Sequence, residues 1–160
     1  MSLSRKIAAA LEARPDPSPL PADLSADEGP HRLSLHLTAA GPVGLAFDTL
    51  EFRTSARDLW PIEDLTAWAN RLAARLTYLM EPLSFQEADP AGGQVVLRSQ
   101  APTPRLGHRS YYEIRLGAGG TLHLGRVRFD EQTRRRQPAS CQMTHEVLER
   151  LADDLVASVS

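Results

Sequence analysis

At 160 residues, with 42% hydrophobic and 24% charged side chains, the chain has the make-up of one globular domain with a single core, not of a disordered or fibrous protein. A formal net charge of -2 excludes a whole-protein basic field, so nucleic-acid binding is not expected. No apolar run reaches the roughly 18 residues that a membrane helix needs. The single cysteine, Cys141, permits no internal disulfide and suits a reducing compartment. The expectation is a cytoplasmic protein without membrane association.

Ser4 is positioned to cap a short helix over 4–14, whose stripe is Ile7, Leu11 and the alanines. This apolar run, behind Arg5 and Lys6, is too short for a secretory signal, and Glu12 and Arg14 end it. Pro15, Pro17, Pro19 and Pro21 then enforce an extended path. With Asp16, Asp23, Asp27 and Glu28, the segment 15–30 reads as a Pro-rich linker or strap leading into an α+β core over 31–158.

Over 31–38, Leu33, Leu35 and Leu37 alternate with Arg32, Ser34, His36 and Thr38, as a half-buried strand requires. Gly41-Pro42 breaks the chain. A second strand over 43–53 turns Val43, Leu45 and Phe47 inward, then Leu50 and Phe52. That one-residue slip predicts a bulge near Asp48-Thr49. Pro61, Glu63 and Asp64 suit a helix start. Leu65, Trp68, Leu72, Leu76 and Leu79 share one face until Pro82 ends the helix.

A strand over 94–98 centres on Val95, Val96 and Leu97, and a loop with Pro102 and Pro104 follows. Tyr112, Ile114 and Leu116 alternate with Tyr111, Glu113 and Arg115, and alternation resumes at Leu122 and Leu124. A three-residue loop, Ala118-Gly119-Gly120, sets Leu116 opposite Leu122, Ile114 opposite Leu124, Arg115 opposite His123 and Glu113 opposite Gly125. Loops of two or four residues would mix the faces. Beyond Gly125 the apolar phase moves to Val127 and Phe129, which predicts a glycine bulge. The last helix runs over 144–156, capped by Thr144, with Val147, Leu148, Leu151, Leu155 and Val156 as its stripe. The fold class is therefore α+β, a five-stranded antiparallel sheet with helices packed on one face, in the order α-β-β-α-β-β-β-α.

No Walker loop, H-E-x-x-H, G-x-S-x-G or paired cysteines occur, so no cofactor and no metal are expected. Gly117-Ala118-Gly119 lies between antiparallel strands and lacks the helix N-terminus a phosphate needs. Among the histidines, His36 and His123 face outward and would converge only if their strands were neighbours. Cys141 precedes His145 by four residues, with Asp130 or Glu131 as a third group. A nucleophilic pair would need hydrogen-bond reach.

The densest basic cluster is Arg134-Arg135-Arg136, with Arg126 and Arg128 upstream and Asp130 and Glu131 between. A solvated loop is the ordinary reading of such a run, but three adjacent guanidiniums repel one another without compensation, which suits an anion or an acidic partner. The outer sheet face, with Ser34, His36, Tyr111, Glu113, Arg115 and His123, is the other candidate surface. Trp60, just before the long helix, is the candidate for an exposed large aromatic, with packing in the core or at its boundary the commoner fate of such a residue. Arg134, Arg135, Arg136, Arg115, His123, Tyr111 and Trp60 are thus the candidate partner- or anion-binding residues, and none is assigned a catalytic role.

In size, slight acidity and αβ order the chain loosely resembles the type III secretion chaperone class. The resemblance is architectural and covers no motif, and here two strands precede the long helix where that class has three. The favoured reading is a non-catalytic protein–protein interaction module: an adaptor, small chaperone or subunit of a bacterial assembly. Its partner is another protein or a second copy of the chain. A small-ligand or anion-binding domain, or an enzyme with a non-motif site, is the alternative.

Overall fold

Three helices and a nine-stranded antiparallel sheet make up the computed structural model, which describes residues 1–15, 18–99 and 107–160. In chain order they are α1 (Leu3–Glu12), β1 (Ala22–Glu28), β2 (His31–Ala40), β3 (Gly44–Thr54), α2 (Ile62–Arg75) and β4 (Leu83–Asp89). Then follow β5 (Gln94–Ser99), β6 (His108–Gly117), β7 (Thr121–Asp130), β8 (Arg136–Ala139), β9 (Cys141–Thr144) and α3 (His145–Ser158). The sheet order is β1-β2-β3-β7-β6-β5-β4, with β8 added to β7 and β9 to β3. Asp16, Pro17 and the loop around Pro102 and Pro104 lie outside the described residues.

The sheet has nine strands, not the expected five, because four strands carry weak patterns. β1 lies inside the segment read as a linker. It is an edge strand, pairing Leu24 with Leu35 and Ala26 with Leu33, and an edge needs few apolar residues. β4 is the opposite edge and buries only Leu83. β8 and β9 are four residues each, and Pro138 is tolerated in β8 because proline suits an edge strand. With β1 included, three strands precede α2 where two were expected.

The inward residues of the sheet, among them Leu33, Leu35, Leu37, Phe47, Phe52, Leu97, Ile114 and Leu124, join residues of all three helices in one buried cluster. Helix contacts fall on β1 to β6 and on β9. At the centre Trp60 stacks on Trp68 with ring centroids 4.7 Å apart. Trp68 Nε1 donates to Ser158 Oγ at 2.9 Å, tying α2 to the end of α3. Burying two indoles this way contributes several kcal/mol by order of magnitude, about 2 to 3 for each large side chain.

The expected bulge in β3 is present: Leu35 pairs with Leu50 but Leu37 with Phe47, so β3 holds the extra residue between them. The β6–β7 register also follows the expectation, with Leu116 opposite Leu122, Ile114 opposite Leu124 and Arg115 opposite His123. Beyond Gly125, however, the pairing continues unshifted to His108 opposite Asp130. There is no glycine bulge. Val127 and Phe129 instead lie on the outer face, and Arg126 takes the inner parity with its guanidinium 4.8 Å from the Tyr112 ring.

The helix boundaries differ in detail. Ser2, not Ser4, caps α1, and Ser4 is buried against it at 3.0 Å. Pro61 occupies the cap position of α2, and the helix stops at Arg75. Leu76 and Leu79 are still buried, but in the following coil. Tertiary contacts hold that coil: Tyr78 donates to Asp154 of α3 at 2.7 Å, and Met80 adopts a φ of 54° that no helix allows. Thr144 caps α3 as expected, its Oγ1 accepting from Val147 N at 3.2 Å.

Gly120 closes the β6–β7 turn at φ 82°, and a Cβ there would lie 2.3 Å from the Thr54 carbonyl oxygen. Gly119, one residue earlier, has open space. Gly120→Ala is expected to cost about 2 kcal/mol and Gly119→Ala less than about 0.5 kcal/mol. Urea unfolding of the two variants checks the contrast, and equal stabilities would contradict this turn geometry.

Candidate functional site

With all three helices on the leucine face, the opposite face of the sheet carries no helix among the described residues. A transverse row crosses six strands on that side: Ser34 opposite Glu51, Glu51 opposite His123, His123 opposite Arg115, Arg115 opposite Val96, and Val96 opposite Glu87. Alternation along each strand puts these polar residues outward for the same reason that it puts the leucines inward.

Glu113 anchors the centre of this face. It is 9% exposed and accepts from Arg98 Nε at 2.7 Å, across the strand pair, and from Arg115 Nε at 2.8 Å. Burial pushes its carboxyl up, but the bonds and charges of Arg98 and Arg115 outweigh burial and hold it below its ordinary value of 4.5. The carboxylate therefore stays ionised, as a paired and hydrogen-bonded buried charge must. Arg115 is part of this pairing and not an unattended cation.

The two outward histidines do not converge, because β3 stands between β2 and β7. His36 Nδ1 lies 2.9 Å from Asp23 Oδ1 across the β1–β2 pair, and this bond raises its pKa above 6.5. His123 Nδ1 lies 4.0 Å from Glu51. Among the described residues no group of three potential ligands is placed to hold a metal ion. Cys141 is fully buried on β9 opposite Phe47. Burial pushes its thiol up to about 12, so the thiolate a nucleophile requires is not populated at neutral pH.

The three adjacent arginines run from the β7–β8 turn into the start of β8. Arg134 occupies the β7–β8 turn at φ 60°, and the Arg135 carbonyl accepts from Asp130 N at 2.9 Å. Arg136 pairs with Phe129 at the start of β8. Of the two placements weighed for Trp60 the core is the one observed: it is 1% exposed, with Arg57 4.7 Å over its ring. Its indole packs better against Trp68 than against water, so it offers no contact surface.

What the fold does bring together is a groove of about 460 Å³ on the helix-free face, lined by Ser84, Gln86, Arg98, Ser99, Arg109, Tyr111, Phe129 and Arg136. It runs across β4, β5, β6, β7 and β8. Tyr111 and Arg136 were expected on sequence grounds; Arg98, Arg109 and Phe129 were not. The phase change at Val127 and Phe129 was the available signal, since it turns two apolar side chains onto the polar face. Among the described residues no helix is long and apolar enough to cross a membrane. Comparison with protein-family models, curated proteins and solved structures finds no match.

Two outcomes follow from these charges. Glu113→Gln leaves Arg98 and Arg115 short of their acceptor and is expected to cost about 2 kcal/mol at pH 7. Because the folded pKa is depressed, the stabilisation is present above pH 4.5 and is lost as pH falls through the folded value. Denaturant midpoints of wild type and variant should therefore converge in acid. The His36 imidazole, followed by NMR, is expected to titrate above pH 6.5, and Asp23→Asn should bring the midpoint down. The contribution of this pair is complete below pH 6.5 and fades as pH rises through the folded value.

Proposed function

We propose that the protein is a non-catalytic protein–protein interaction module, an adaptor, small chaperone or assembly subunit, that holds its partner on the helix-free face of the sheet. The observation that carries this reading is that face itself. An antiparallel sheet with one face on a core leaves the other for solvent or for a partner. Here that face includes a groove with Tyr111 and Phe129 inside a polar surround, the mixture of aromatic centre and polar rim that protein interfaces favour.

The dispersal of the reactive groups weighs in the same direction. Nucleophilic catalysis needs a nucleophile, a base and an orienting group within mutual reach. Cys141 is buried and protonated, whereas His36 and His123 are each engaged by a separate carboxylate. The single, buried cysteine fits a reducing cytoplasm.

The test is site-specific photo-crosslinking in the native host. A photo-reactive residue is placed at Ser34 or His123 on the helix-free face, and at Glu149 on α3 as a control. The expected result is one protein, another chain or a second copy, crosslinked from Ser34 and His123 but not from Glu149. Crosslinking from Glu149 alone, or none from either face, refutes the reading.

A further inference from the structure

We infer that the groove across β4 to β8 takes an extended, acidic segment of the partner polypeptide, an inference that rests on the reading just given. Three arginines line it, Arg98, Arg109 and Arg136, and among the described residues no carboxylate does. Arg98 and Arg109 are balanced by Glu113 and Glu131, so Arg136 is the cation without a carboxylate among the described residues, and a lining of guanidiniums alone is complementary to an acidic ligand.

The arginines come from different strands, so they are spread across the groove and not stacked at one point. Arg98 is on β5, Arg109 on β6 and Arg136 on β8. Neighbouring strands are about 4.8 Å apart, so crossing five strands covers roughly 19 Å, the length of about six extended residues. A single small anion would engage only part of that spread. A chain with repeated carboxylates matches it.

Two of the guanidiniums are already oriented. Arg98 is held through Nε by Glu113 at 2.7 Å, and Arg109 through Nε by Glu131 at 2.5 Å. Fixing them in advance lowers the ordering cost of binding. Arg136 has no carboxylate within ion-pair distance among the described residues, so it is the arginine with most to gain from an incoming acid. It stands directly opposite Phe129, and Tyr111 is 8% exposed on the same face. An apolar side chain between two acidic ones would rest on the half-buried Phe129 while its neighbours meet the arginines.

The experiment is fluorescence anisotropy at low salt, with the full chain and a labelled six-residue peptide of alternating Glu and Phe. The comparison ligands are the matching Lys and Phe peptide and a six-nucleotide single-stranded oligonucleotide. The expected result is saturable binding of the acidic peptide only. Arg136→Glu should weaken it about tenfold. Arg5→Glu makes the same charge change on the exposed side of α1, away from the groove, and should change the affinity less than twofold. Unshifted melting temperatures would show that both variants fold. Absence of saturable binding, equal loss in both variants, or preference for the oligonucleotide would overturn the inference. If any of these occurs while Ser34 and His123 still crosslink a protein, the binding face stands and only its acidic occupant is wrong. If the crosslinks are also absent, both fall.

Discussion

The rest of the structure depends on the division of β3. The bulge at Asp48-Thr49 splits its free edge between two partners: Leu50 to Arg53 pair with β7, and Gly44 to Phe47 pair with β9. A strand edge can hydrogen-bond only one neighbour at each residue, so β7 must leave β3 at this point. It does so at Gly125, which packs 3.6 Å, measured from an added Cβ, from the Asp48 carbonyl oxygen. The edge of β7 freed in this way is taken by β8. Strands β8 and β9, joined through Ser140, bridge the fork.

That fork serves both faces of the sheet. On the inner side β9 leads directly into α3, whose Leu148, Leu151 and Leu155 close the core. On the outer side β8 brings Arg136 beside Phe129, next to Arg109 and Tyr111 of β6. The helices pack on β1 to β6 and β9, so the far half of β7 lies past the helix layer and is free to turn its apolar residues the other way. The groove is thus a consequence of how the sheet is divided and not of any local motif.

The outer face combines order with polarity. Glu113 and its two arginines are held at 2.7 and 2.8 Å, and Val96 between them is 1% exposed. Arginine stems can cover apolar surface while their heads stay wet. The result is a rigid, charged surface that presents aromatic rings at one end. The carboxylate of Glu113 and the guanidiniums of Arg98 and Arg115 hold one another in place on this face.

Alternation in β2, β3, β5, β6 and β7 was legible in the chain because those strands bury one face and expose the other, and burial enforces a period of two. The β6–β7 register was legible for the same reason: only a three-residue turn keeps Ile114 and Leu124 on one side. The bulge at Asp48-Thr49 could be read because both halves of β3 must keep facing the helices. The same logic misled at Gly125, where no helix enforces an inward direction. β1 and β4 were hidden because edge strands bury little, and β8 and β9 because four residues carry no period. The end of α2 at Arg75 was hidden because Tyr78 and Asp154 meet only in three dimensions.

For the site, Tyr111 and Arg136 could be nominated from outward parity and local charge, but nothing in the linear order linked them to Arg98, Arg109 or Phe129. By itself the sequence determined which side chains face the core, because burial of apolar surface acts on each strand separately. Only the tertiary structure decided which strands are neighbours, and so which outward residues meet in one groove, because strand pairing joins segments far apart in the chain.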